Sequence, residues 1–169
     1  MKNKIIILIV LLLLVVGCSS NKTETIKSNG ETINTSKMEH KHCTRETTKQ
    51  TGMETSLSYD LYYTGEVLNI LKSEEKIITA SEEKLTQYEN AYNSIKDKYK
   101  DLDYFDFTVT RTDTTVTSSM VINYDKVDIA RLLEIEGSED NIIEDGVAKV
   151  DKWLTLAKRF GTKCELVED

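Results

Sequence analysis

Hydrophobic and polar positions alternate with period two in three stretches and with a 3-4 spacing in a fourth. In residues 54–63, ETSLSYDLYY, Leu57, Tyr59, Leu61 and Tyr63 share one face, and Ser58, Asp60 and Tyr62 share the other. That alternation predicts a half-buried strand. Thr64-Gly65 supplies a tight turn, and EVLNILKSEEKIIT returns, either continuous through Ile77 and Ile78 or broken at Ser73-Glu74-Glu75. Upstream, residues 38–48 alternate weakly and predict a first strand, ended by Gln50-Thr51-Gly52. Downstream, Ser81 is an N-cap with Glu82 and Glu83 in the first turn. Leu85, Tyr88, Tyr92, Ile95, Tyr99 and Leu102 then follow as the single stripe of a long helix. Residues 103–112 and 115–124 alternate again, turn at Asp113-Thr114 and predict a second hairpin.

Two helices close the chain. Asp125 or Asp128 caps one through Ile129, Leu132 and Leu133, ending near Gly137. The other starts within 141–146, carries Val147, Val150, Leu154 and Ala157 with Trp153 alongside, and stops at Gly161 after Lys158 and Arg159. Strands and helices are segregated. The expected class is α+β: a mainly antiparallel sheet of two hairpins plus an N-terminal strand, packed by one long helix and two C-terminal helices.

The amino terminus has a different pattern. Lys2 and Lys4 precede an unbroken apolar run at 5–16, and Gly17 precedes Cys18. This is the layout of an export signal, and the run is shorter than the roughly 20 apolar residues of a membrane span. An uncleaved short anchor is the alternative. Val15-Val16-Gly17-Cys18 resembles a bacterial lipobox, which implies a diacylglycerol on Cys18, cleavage before it, and a mature chain held on the outer, extracytoplasmic face of a bacterial membrane. Two acyl chains give durable anchoring where one is marginal. Residues 19–36, SSNKTETIKSNGETINTS, hold few core formers and read as a disordered tether. The division is therefore a signal at 1–17, a tether with lipidated Cys18 at 18–36, and one domain at 37–169.

Charge narrows the partners. The chain has 22 Lys+Arg against 29 Asp+Glu and a formal net charge of −7, and loss of Lys2 and Lys4 with the signal deepens that balance. Such a domain has no electrostatic footprint for nucleic acid. Cys43 and Cys164, the two cysteines left after lipidation, form a candidate disulfide outside the cytosol. Two buried free thiols are the alternative. A closed loop of about 120 residues corresponds to about 5 kcal/mol at most in the chain-entropy model.

Candidate chemistry is sparse. Gly-rich phosphate loops, Gly-x-Ser-x-Gly, CxxC and HExxH are absent. His40 and His42 project from one strand face and are weak metal candidates, since no further His cluster completes a ligand set. The acid pairs Glu74-Glu75, Glu82-Glu83 and Glu139-Asp140 sit in turn or helix-start contexts that suit capping and solubility. Arg45, Arg111, Arg131 and Arg159 are candidates for ion pairs or an anion. The eight tyrosines either fill a sheet–helix core or line a groove, with Tyr59, Tyr62 and Tyr63 facing Tyr88, Tyr92 and Tyr99.

The lipobox, Cys43-Thr44-Arg45, the hairpin YDLYYTGEVLNI and the junction VINYDKVDI together resemble the YehR-like family of small bacterial lipoproteins, a domain of unknown function. The resemblance runs from about Met38 onward. It implies an α+β domain anchored by lipid and supplies no active-site residues. The expectation is a non-enzymatic lipoprotein without a cofactor, attached to the membrane through Cys18, that binds a protein, peptide or glycan or supports the envelope. Metal binding through His40 and His42 is the alternative.

Overall fold

The computed structural model describes residues 25–168 except 51 and 138–140. The element order is β1 (Thr25–Ser28), β2 (Glu31–Asn34), β3 (Glu39–Gln50), β4 (Met53–Thr64), β5 (Val67–Thr79), α1 (Glu82–Tyr99), β6 (Phe105–Arg111), β7 (Thr115–Asn123), α2 (Ile129–Glu136), β8 (Ile143–Glu144), β9 (Val147–Ala148), α3 (Val150–Arg159) and β10 (Thr162–Leu166). The class is α+β with mainly antiparallel strands.

Six strands form the central sheet in the order β10-β3-β4-β5-β7-β6, with every neighbouring pair antiparallel. The return strand β5 runs unbroken through Ser73-Glu74-Glu75 to Thr79. Those polar residues do not interrupt it because Tyr59↔Ser73, Ser58↔Glu74 and Leu57↔Glu75 keep the ladder with β4. The C-terminal strand β10 lies on the outer side of β3 in register Cys164↔Cys43, and the Cys43–Cys164 disulfide joins these cross-strand partners at a Cα–Cα distance of 4.0 Å.

One face of the sheet carries the helices. Leu61, Tyr63, Leu68, Leu71 and Ile122 meet Leu132, Trp153 and Ala157 in the main core, and Ile77 and Val116 meet Leu85 and Tyr92 in a second cluster. The Ser81 hydroxyl accepts from Lys84 N–H, as an N-cap should. Asp128, rather than Asp125, caps α2 by accepting from Arg131 N–H at 3.0 Å. Arg111 on the edge strand β6 reaches both Glu82 and Glu89 and ties α1 to that edge.

The opposite face corrects the expected domain boundary. Residues 25–36 are not a disordered tether. Residues 25–34 form the β1–β2 hairpin, which lays Ile26 on Tyr62 and Ile70, all three buried. Asn29 and Gly30 occupy the turn at φ 50° and 77°, the paired positive values of a two-residue hairpin loop. Asn29 N–H donates to Asp106 at 2.8 Å, Tyr104 donates to Glu31 at 3.1 Å, and Lys126 pairs with Glu31. A polar segment gains enough by this docking because one buried isoleucine and several cross-links offset its ordering entropy.

The last helix is also shorter than expected. Residues 143–148 make the hairpin β8–β9 around Asp145-Gly146, again with two positive φ values, 51° and 80°. Val147 therefore lies in β9, and α3 begins at Val150. Val150 N–H donates to Glu66 O at 3.1 Å and holds this unit against the start of β5.

Candidate functional site

The predicted candidates fall in different places. Cys18 and the lipobox lie outside the described residues, as do Glu139 and Asp140. Cys43 and Cys164 are bonded to each other. Glu82 serves Arg111, and Glu75 lies 3.9 Å from Arg45. Arg131 pairs with Glu134 one helical turn on.

His40 and His42 stand on the hairpin-side face and converge on Asp60 of the next strand. His40 Nε2 is 3.0 Å and His42 Nδ1 2.8 Å from the same oxygen, Asp60 Oδ1. Lys72 Nζ lies 3.9 Å from Asp60 Oδ2. Register builds the row, since His42 faces Asp60 and Asp60 faces Lys72. His40 also stacks on Tyr62 at 4.3 Å. A carboxylate only accepts, so each ring presents N–H to it, and the other ring nitrogens are His40 Nδ1 and His42 Nε2. These point away from the shared oxygen. Among the described residues no group of three or more His, Cys, Asp or Glu side chains is arranged to hold a metal ion. Burial works to raise the Asp60 pKa, but the bonds from His42 and His40 and the Lys72 charge outweigh it and hold the carboxyl below its usual range.

The tyrosine groove divides between core and cleft. Tyr63 is core, Tyr62 lies on the hairpin side, and Tyr92, part of the second cluster, packs with Tyr88 at 6.2 Å. Only Tyr59 and Tyr99 of the six face a common cleft, of about 380 Å³, between the helix-side face of the sheet and the three helices. Its floor is Tyr59, Leu71, Met120 and Ile122, and its walls include Tyr99, Tyr124 and Trp153. Tyr59 and Trp153 meet edge to face at 4.9 Å, and Tyr99 stacks flat on Phe105 at 4.1 Å, both favoured arrangements of ring quadrupoles. Ile95 and Phe160 at the rim are exposed, Phe160 at 69 %.

Polarity enters the cleft from α2. Glu136 Oε1 accepts from Tyr99 Oη at 3.2 Å. Burial pushes the Glu136 carboxyl up, more than the Tyr99 bond and the Lys98 charge pull it down. Burial and the adjacent Glu136 push the Tyr99 phenol up to about 12. Burial raises Tyr59 and Tyr124 as well. The phenols are therefore neutral donors at physiological pH, and among the described residues the cleft is a mainly aromatic and aliphatic cavity with the Glu136 carboxylate and the Asn141 amide on its lining.

Sequence reasoning missed Asp60 and Glu136. Asp60 was visible as a polar position on its strand, but its partnership with His42 depends on register. Glu136 sat at the end of a helix like many solvated acids, and only the approach of α1 to α2 places it beside Tyr99.

No family model matches this chain, and no curated protein does. Among solved structures it is similar to the YehR protein of E. coli, determined by NMR, with a TM-score of 0.55 and 24% identity over 79% of this chain and 94% of that one. A protein from Streptococcus pneumoniae TIGR4, also determined by NMR, aligns over 98% of each chain with a TM-score of 0.48 and 11% identity. The likeness to YehR extends to the fold: this chain has a YehR-like α+β architecture.

Proposed function

We propose that this chain is a lipid-anchored, extracytoplasmic binding protein without catalytic activity, and that the aromatic cleft receives a small amphipathic ligand. The cleft carries the reading. It has the volume of a small-molecule site, apolar ring walls and few polar groups to set orientation, which is the usual composition of a binding pocket. The lipobox at 15–18 supports the anchored location.

Trp153 is the only tryptophan of the chain and lines the cleft, so its emission reports occupancy. A screen of small amphipathic compounds should give saturable emission shifts that Trp153-proximal substitutions such as Tyr59→Ala weaken at least tenfold. Saturable binding that ignores Tyr59→Ala would place the ligand elsewhere. For the anchor, wild-type chain expressed with labelled palmitate should be labelled and membrane-bound, and Cys18→Ala should be neither. Labelling that persists in that variant would overturn the anchor.

A second reading, metal binding, takes His40, His42 and Asp60 as ligands. Their nearness on one face motivates it, but as they stand they do not form a ligand set: both rings would have to turn from the Asp60 oxygen toward the ion, and Lys72 would oppose the cation. Native mass of the protein prepared without chelator decides this: extra mass that EDTA and His42→Ala both remove supports it, and unchanged mass after added zinc or copper excludes it.

A further inference from the structure

We infer that the ligand of the aromatic cleft carries an organic ammonium group, held by the Glu136 carboxylate and the ring of Tyr99. The inference rests on the cleft being a binding site, as proposed above. Among the described residues lining the cleft, Glu136 is the only formally charged side chain. Glu136 stands exposed at the rim, where it accepts from a neutral phenol, Tyr99, at 3.2 Å, so its carboxylate and the aromatic rings face the same opening. A carboxylate beside the faces of aromatic rings attracts a cation and repels an anion.

The chain itself demonstrates the preference of the ring. One face of Tyr99 is covered by Phe105 at 4.1 Å, and the ammonium of Lys98 lies over the ring, 5.5 Å from its centroid. That is the distance at which a cation is drawn to an aromatic quadrupole. Lys98 is exposed on α1, and its charge also acts on Glu136. A side chain so placed is a stand-in that a better-fitting ammonium displaces. The remaining walls, Trp153, Tyr59 and Met120, suit an apolar body attached to that head group. At about 380 Å³ the space fits a small molecule rather than an extended peptide, and the net charge of −7 draws cations toward the surface.

Three probes with one apolar body test this: 4-phenylbutylammonium, 4-phenylbutanol and 4-phenylbutanoate. Each is titrated at pH 7 into the full-length protein in nanodiscs of zwitterionic lipid, followed by Trp153 emission and calorimetry, with empty nanodiscs subtracted. The ammonium should bind at least tenfold more tightly than the alcohol, and the carboxylate most weakly. Glu136→Gln should erase the advantage of the ammonium over the alcohol, and Lys98→Gln should increase ammonium affinity severalfold by removing the competitor. The advantage should also shrink as pH falls and Glu136 protonates. Equal binding of all three probes, or tightest binding of the carboxylate, would overturn the ammonium inference and leave the cleft as a binding site. Silence from all three would overturn both.

Discussion

The two faces of the central sheet treat a carboxylate in opposite ways. On the hairpin side, Asp60 accepts from two imidazoles and lies near Lys72, and its pKa is held down. On the helix side, Glu136 lies against aromatic rings with one phenol as donor, and its pKa is driven up. Asp60 is half-buried and Glu136 exposed at the cleft rim. What separates them is the kind of partner within reach: two imidazoles and Lys72 at Asp60, a phenol and the more distant Lys98 charge at Glu136. The hairpin-side group is thus a finished structural clasp, whereas Glu136 stands at the rim of an aromatic cleft with a phenol as its donor. That contrast makes the cleft, and not the histidine pair, the better place to look for a ligand.

Removing the staple tests how far the faces depend on one another. The Cys43–Cys164 bond spans 121 residues of sequence, so Cys43→Ala with Cys164→Ala should cost about 3–5 kcal/mol. Denaturant unfolding of oxidised and variant protein gives the number. The chain-entropy account predicts that both faces melt together at the lower stability, since the bond acts on the unfolded state. Separate melting of β10 and α3, detected by amide exchange, would instead make the bond a local latch.

Deleting the β1–β2 hairpin attacks one face alone. A domain beginning at residue 37 would bare Tyr62 and Ile70, which Ile26 covers, and should lose about 2–4 kcal/mol. Trp153 emission, which reports the far face, should be unchanged in the folded shortened domain. A shifted emission would mean that the hairpin shapes the cleft through the sheet, and the two faces could no longer be treated as independent.

The hairpin deletion also marks where the sequence was legible. Long elements announced themselves: alternation at 54–63 and 115–124 reappears as β4 and β7, and the stripe from Leu85 to Leu102 as α1, which ends at Tyr99 and leaves Leu102 in the core just beyond it. Short elements did not, because four-residue strands carry too little period to rise above a Ser/Thr/Asn-rich background. Yet Asn29-Gly30 and Asp145-Gly146 are the dipeptides that two-residue hairpin loops demand, and both sit at the turns of hairpins read as a tether and as the start of a helix. Turn chemistry was the stronger signal there and composition the weaker one. The same limit explains the sites. The disulfide followed from cysteine pairing and compartment, which need no geometry. The His40–Asp60–His42 cluster and the Tyr99–Glu136 contact depend on strand register and helix approach, and neither is written in local pattern.

Asp60→Asn probes the clasp. Asparagine keeps an acceptor but loses the charge that both imidazoles and Lys72 address, so the variant should be less stable by about 1–2 kcal/mol at pH 7. A carboxyl with a depressed folded pKa contributes stability that is complete above its unfolded value, roughly pH 4, and is lost as pH falls through the lower folded value. Urea midpoints of wild type and variant should therefore converge in strong acid. A gap that persists there would trace the loss to shape and not to charge.

Glu136→Gln should do the reverse, with the smallest effect. Its folded pKa is raised, so the ionised form is a net cost above that value and no cost below the unfolded one, where both states are protonated. The variant should gain stability at pH 7, by less than about 0.5 kcal/mol because the residue is partly exposed and screened. The gain should close below about pH 4. Measured side by side, the two variants should show differences from wild type of opposite sign at pH 7, both shrinking in acid. If Glu136→Gln were instead destabilising at pH 7, the carboxylate would already have a favourable partner in the folded chain, Lys98 being the one in place. The cleft would then be as complete as the clasp, and the contrast between the two faces would vanish.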